Sequence, residues 1–142
     1  MTPEERFSHA LHNTARAWRL ALDRRMKHLG LSQASWLAIA TLAKGAPLSQ
    51  TELAARLGVE NPTMVAMIDR LVKGDYLVRI PSGTDRRVKL VGLTERGREI
   101  YAQLRAVADP FRHELLGGID RAQLQAVTDL LETLQGRIEQ QP

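Results

Sequence analysis

Ser49-Gln50-Thr51-Glu52-Leu53-Ala54-Ala55-Arg56-Leu57-Gly58, then Asn61-Pro62-Thr63-Met64-Val65, then Pro81-Ser82-Gly83-Thr84-Asp85-Arg86-Arg87, are the stretches that decide how this chain folds. Ser49 and Glu52 have the spacing of a capping box, in which the two side chains satisfy each other's free backbone N–H groups at a helix start. A short helix therefore opens there, runs to Leu57 and is ended by a turn at Gly58. Asn61 is suited to cap a second helix, with Pro62 at its first position. That helix covers residues 62–73, is expected to send Val65, Ile68, Leu71 and Val72 inward, and stops at Gly74. Period-two patterning over residues 76–80, a turn cluster over 81–85 and a returning strand over 87–91 then make a β-hairpin with a basic tip. Together these elements spell a winged helix-turn-helix over residues 49–93, with the helix-turn-helix motif at about 51–74 inside a winged segment of about 47–93. An ordinary helical corner is the competing account of the two short helices, and the hairpin with its basic tip weighs against it.

Outward from that motif lie long amphipathic helices. Thr2-Pro3-Glu4-Glu5 is a start signal, and Phe7, Leu11, Ala15, Trp18, Leu22, Met26 and Leu29 recur at three- and four-residue steps before Gly30 stops the helix. A second helix follows Ser32 and ends near Lys44, with Trp36, Ile39, Ala40 and Ala43 as its stripe; Pro47 and Leu48 form a short extended link. Thr94 caps a further long helix marked by Ile100, Leu104, Val107 and Phe111, in which Pro110 is expected to cause a kink or break. Asp120 and Gln123 start the last helix, whose stripe is Leu124, Val127, Leu131, Leu134 and Ile138. The expected fold is mainly α, an α+β winged helix, in one domain over residues 1–142. The helices at about 3–30 and 95–140 carry more apolar face than one small winged domain can cover. They suit an intertwined homodimer core; folding back on a single chain is the alternative.

Composition narrows the function. With 44% hydrophobic and 25% charged residues the chain reads as globular and not disordered. No apolar run approaches bilayer length and no secretory leader is visible, which points to a cytoplasmic protein without membrane contact. Cysteine is absent, so disulfides, thiol redox sensing and thiolate-bound metals are excluded. The net charge of +4 is unevenly spread: residues 1–98 carry +7 and residues 99–142 carry −3. The positive field lies on the part that holds the winged motif, where it favours phosphate. Double-stranded DNA is the matching partner. The second helix fits the major groove and presents Pro62, Thr63, Met64, Ala66, Met67 and Arg70 on or near its outer face. The hairpin places Arg86 and Arg87 where arginines enter a minor groove or hold phosphate.

Val59-Glu60-Asn61-Pro62-Thr63-Met64-Val65, Ile68-Asp69-Arg70-Leu71, Lys73-Gly74, Asp85-Arg86-Arg87 and Leu93-Thr94-Glu95-Arg96-Gly97 together resemble the MarR family, with the SlyA branch most similar. Ala17-Trp18-Arg19 and Leu31-Ser32-Gln33 before Trp36 fit the same pattern, so the resemblance covers nearly the whole chain. It implies a homodimeric transcriptional regulator, repressor or activator, on a pseudo-palindromic operator, with recognition helices about 34 Å apart. It also implies that Asp85 and Arg87 pair to brace the wing while Arg86 reaches into the minor groove; exchange of the two arginines, or a merely solvated turn, is the alternative. Where SlyA-like proteins often carry an arginine this chain has Ala66, so Thr63 and methyl contacts by Ala66 and Met67 would leave specificity to the wing and to DNA shape.

Many such relatives release DNA when a small aromatic carboxylate or phenol binds between the dimer core and the winged domain. Trp18 and Trp36 with Arg16 or Arg19 are the candidates for that effector site here, an aromatic wall with one cation; burial of both tryptophans for packing is the alternative. His9 and His12 lack a third ligand, so no metal is expected. No cofactor motif, nucleophile triad or paired-carboxylate site stands out, and the chain is not expected to be an enzyme. A winged-helix protein-interaction module without DNA binding is the rival function.

Overall fold

A computed structural model describes residues 1–85 and 87–142; the expected reach of Arg86 lies outside the described residues. The elements run α1 (Pro3–Met26), a 3-10 turn (Lys27–Leu29), α2 (Gln33–Ala43), β1 (Leu48–Ser49), α3 (Gln50–Leu57), α4 (Asn61–Lys73), β2 (Leu77–Pro81), β3 (Lys89–Leu93), α5 (Glu95–Leu116) and α6 (Arg121–Glu139). The fold is mostly helical with one small antiparallel sheet, in the order β1-β3-β2. The chain divides into two compact units, Met1–Ala108 and Asp109–Pro142.

The helix starts follow from local chemistry. Thr2 and Glu5 form a capping box on α1, and Ser49 and Glu52 form one on α3. Ser32 caps α2 by accepting from the Ser35 backbone N–H, and Asp120 caps α6 by accepting from that of Gln123. Each such cap satisfies a helix N–H that has no partner within the helix, a contribution of about 1 kcal/mol. Gly58 ends α3 with φ of +67°, a left-handed conformation that glycine adopts without steric cost.

The first unit packs around Ile39, Leu53, Met64, Met67, Ile68, Leu77 and Val91, all essentially inaccessible to solvent. β1 turns the expected link at Leu48 into sheet: Leu48 pairs with Val91 and Ser49 with Leu90. The hairpin strands pair from Leu77 opposite Leu93 to Pro81 opposite Lys89, one to two residues later in the chain than the sequence pattern suggested. The physical reason is at both ends. Tyr76 is held in the turn after α4, where its N–H donates to the Leu71 carbonyl, and Arg87 belongs to the wing tip.

Two further expectations are corrected. The residue capping α4 is Glu60, without a side-chain bond, and Asn61 is already helical. Of the kink or break expected at Pro110, the break does not occur, since the residue stands inside α5 without ending it. Proline frees the carbonyl four residues earlier; here that residue, Ala106, and Pro110 are both exposed, so water can take the lost bond. In the second unit α6 buries none of its residues.

Candidate nucleic-acid interface

The outer surface of α4 is set by which side it buries. Met64, Met67, Ile68 and Leu71 recur at i, i+3, i+4 and i+7 and form the inward stripe. The opposite side exposes Pro62, Thr63, Ala66, Asp69, Arg70 and Lys73. The inward set read from the sequence was therefore rotated. Val65 is exposed, Val72 is half-buried, and Met67, expected to touch DNA, is 1% exposed and fills the core. The unbranched thioether fits irregular core gaps. The signal was available in Asp69, Arg70 and Lys73, which cannot share a face with a buried stripe and so place Met64 and Met67 inside. Of the expected contacts, Pro62, Thr63, Ala66 and Arg70 do share one exposed face. It is small and weakly polar apart from its C-terminal cations.

Asp69, not singled out from sequence, is tied to the hairpin: its carboxylate accepts from Arg79 of β2. An acid and a base ten residues apart, one on a helix and one on the outer edge of a strand, carried a signal that required the strand register to see.

The wing is closed by backbone bonds. Ser82 N–H donates to the Val88 carbonyl and Val88 N–H to the Asp85 carbonyl, each at 3.1 Å. Asp85 accepts from the backbone N–H of Arg87 at 2.9 Å and from its Nε at 3.4 Å. The Arg87 side chain is otherwise 92% exposed, so the pair organises the turn without burying charge.

Behind the wing, the Leu93-Thr94-Glu95-Arg96-Gly97 stretch locks the start of α5 to the end of α4. Thr94 Oγ1 accepts from the Gly97 N–H and donates to carbonyl oxygens of Asp75 and Tyr76. A Cβ on Gly97 would lie 2.2 Å from the Tyr76 carbonyl oxygen, a close approach that only glycine permits. Arg96 stacks 4.6 Å from the Tyr76 ring centroid and donates to its hydroxyl at 3.1 Å. Asp75 makes the turn with φ of +65°. Upstream, hydrogen bonding to the backbone N–H and then the hydroxyl of Ser49 holds the Glu52 carboxyl below its ordinary value.

The expected effector residues are separated. Trp36 is 4% exposed and its indole N–H donates to Asp23 at 3.0 Å, so it joins the packing of α1 on α2. Indole is large enough to be a core anchor when its N–H finds an acceptor. Trp18 is half-buried. Arg16 and Arg19 do come together, lining an open cleft of about 380 Å³ with His12, Ala15, Leu20 and Gln33. Neither tryptophan lines it. Among the described residues, no group of three or more His, Asp or Glu side chains is placed to hold a metal. No helix of the described residues is long and apolar enough to cross a membrane.

Comparison with known proteins places this architecture. A MarR-family sequence model matches residues 29–88, the stretch from the end of the 3-10 turn through most of the wing. The crystal structure of transcriptional regulator PA3341 is 37% identical, covers 95% of this chain and 99% of its own, and superposes with a TM-score of 0.88. The Staphylococcus aureus MarR in complex with salicylate and kanamycin shares the fold at 18% identity, with coverage of 98% and 94% and a TM-score of 0.84. CouR from Rhodococcus jostii RHA1 bound to p-coumaroyl-CoA does so at 23% identity, with 90% of each chain covered and a TM-score of 0.80. The winged helix, the matching family model and the near full-length similarity to a solved transcriptional regulator together make this chain a member of the MarR family of transcriptional regulators.

Proposed function

We propose that this protein is a homodimeric, sequence-specific regulator of transcription that acts in the cytoplasm on a pseudo-palindromic operator in double-stranded DNA. The observation that carries the reading is the exposed face of α4, where Thr63 and Ala66 leave room for base edges and thymine methyls while Arg70 and Lys73 stand ready for phosphate. Pro62, which has no backbone N–H to satisfy, suits the first turn of that helix. The wing supplies the second contact: Asp85 holds the Arg87 backbone in place, and Arg86 beside it enters the minor groove. With no long hydrogen-bonding side chain at position 66, specificity rests more on the wing and on DNA shape than on base readout, a SlyA-like mode with its own operator.

Homodimerisation is supported by apolar surface that the single chain leaves uncovered. Phe7 and Leu11 on α1 and Val127, Leu130, Leu131 and Ile138 on α6 are exposed. A two-fold dimer of such helices covers both sets and pairs the recognition helices. An effector that tunes DNA affinity fits the Arg16–Arg19 cleft, whose cations suit an aromatic carboxylate or phenolate. Salicylate and p-coumaroyl-CoA on two fold relatives support a ligand of that class.

The test is a gel shift on DNA upstream of the protein's own gene, with wild-type protein and Arg86→Ala. Sequence-dependent retardation that the variant weakens is the expected outcome. Absence of such binding to any fragment, with stable capture of a protein partner through the α4 face, would establish the winged-helix interaction module instead.

A further inference from the structure

The hairpin is joined to α4 at two places. The first is the chain itself. After Lys73 the backbone N–H groups of Gly74, Asp75 and Tyr76 donate to the carbonyls of Arg70, Val72 and Leu71 at 2.9, 3.0 and 2.9 Å, and Asp75 makes the turn with φ of +65°. The second is the bond from Arg79 to the Asp69 carboxylate. Side chains alternate along a strand, so Arg79 shares a side of β2 with Leu77, which is 1% exposed in the core, and stands one step nearer the tip. That step brings it to the exposed side of α4, where Asp69 follows Ala66 by three residues and precedes Lys73 by four. Among the described residues neither group has another side-chain hydrogen bond or ion pair. The pair is exposed, 59% for Asp69 and 36% for Arg79, and such pairs add little to stability. Its consequence is geometric. β1 supports the sheet at Leu90 and Val91, so beyond them the hairpin has two strands. From Arg79 to Thr84 the chain extends about 16 Å at the ordinary rise of ~3.3 Å per residue, so a swing of about 10° shifts the tip by roughly 3 Å. A shift of that size breaks any hydrogen bond made at the tip.

We propose that Asp69 and Arg79 are positioning residues for the wing. Their bond fixes the angle between the hairpin and α4, so that the wing tip and the exposed face of α4 engage DNA together. The inference rests on the DNA-binding reading above. It separates two roles of Asp69 that carry opposite signs. A carboxylate on a surface that meets phosphate repels it, so removing the charge alone strengthens binding to every DNA sequence. Removing a positioning bond weakens the native operator, whose grooves must be met by both elements at once, and leaves random DNA without a comparable loss.

The test uses the full-length protein with Asp69→Asn, with Arg79→Gln, and with the exchange of Asp69→Arg and Arg79→Asp together, all at exposed positions and each checked by its thermal midpoint. Without DNA, backbone 15N relaxation is measured over residues 80–89. Lower order parameters in both single variants, restored in the exchange, are expected. With DNA, anisotropy is read on the fragment upstream of the protein's own gene and on a shuffled one. Asp69→Asn and Arg79→Gln should each weaken the native fragment about tenfold, the cost of one groove contact made badly, and the exchange should recover most of it. Asp69→Asn should not weaken the shuffled fragment. Arg86→Ala should cost a smaller factor in the Asp69→Asn background than in wild type, because the wing is already misplaced. Wing order unchanged in both single variants, tighter binding of Asp69→Asn to both fragments alike, or an exchange no better than the single variants would each overturn the proposal. A wild type that binds no fragment sinks the regulator reading, and the relaxation data then still decide whether the bond holds the wing. A wild type that binds, with wing order unmoved by the variants, sinks this proposal alone.

Discussion

The helices α4 and α6 are both amphipathic, yet they meet opposite fates within one chain. The apolar stripe of α4 is wholly spent on the first unit's core, with Met64, Met67, Ile68 and Leu71 all buried. The stripe of α6 is left open: Val127 and Leu130 are each 49% exposed and Ile138 is 65% exposed. The contrast separates two uses of the same pattern. In α4 the stripe anchors a helix so that its other face can be offered to a partner. In α6 the stripe is itself the face that the proposed dimer would cover. That unburied cluster of large apolar side chains at helical spacing is the surface on which the proposed homodimer rests.

The largest expected effect comes from attacking the open stripe. Leu131→Asp should convert the dimer to a monomer in light scattering and lower operator affinity at least a hundredfold, because a single winged domain loses the second half-site. Were α6 simply a solvated helix, the same change would move stability by less than about 0.5 kcal/mol and leave mass and DNA binding unaltered.

Next in size is the closed stripe. Met67→Ala should cost about 2–5 kcal/mol in denaturant unfolding, the range for emptying a buried methionine site. A Met67 that touched DNA from an exposed position would instead leave stability unchanged and weaken the operator complex. The same logic applies at the junction behind the wing. Gly97→Ala places a methyl against the Tyr76 carbonyl and should cost about 1–3 kcal/mol of the kind seen on overpacking.

How legible all this was in the sequence depends on whether the signal was local. Caps, turns and the hairpin were readable because Ser49 with Glu52, Asp120 with Gln123, and Gly58 act within one turn of chain. The inward side of α4 is less legible, because valines and methionines are both apolar and only packing decides that Met64 and Met67, not Val65 and Val72, fill the core. At Pro110 the expected break does not occur: a proline whose freed carbonyl lies on an exposed face need not end a helix. The Asp69–Arg79 tie and the burial of Trp36 against Asp23 depend on register and packing between elements, which no local window carries. Conversely, Arg16 and Arg19, named from sequence with the tryptophans, do share a cleft but not with them.

Smaller effects test the offered face of α4 and the wing. Arg86→Ala should weaken operator binding by about 1–3 kcal/mol and relax sequence preference, as loss of a groove contact does, whereas Arg70→Ala should weaken all sequences alike and flatten the salt dependence. Equal effects of both on specific and random DNA would erase the distinction between wing and helix. Smallest is the cap of α3. The Glu52 pKa is lowered in the folded chain, so its contribution is present above the ordinary carboxylate range and is lost as pH falls through the lowered value. Ser49→Ala should raise the Glu52 midpoint in an NMR titration and cost about 1 kcal/mol of stability.

The central claim is that two copies of α4 and the wing read DNA sequence. It is tested most directly by fluorescence anisotropy on the fragment upstream of the protein's own gene, against a shuffled fragment of equal composition, across a salt series. The account predicts that the native fragment binds about a thousandfold or more tightly than the shuffled one at physiological salt. It also predicts that the logarithm of affinity falls linearly with that of salt concentration, as phosphate contacts by α4 and the wing release counterions. Equal affinity for the two fragments, or binding indifferent to salt, would contradict it.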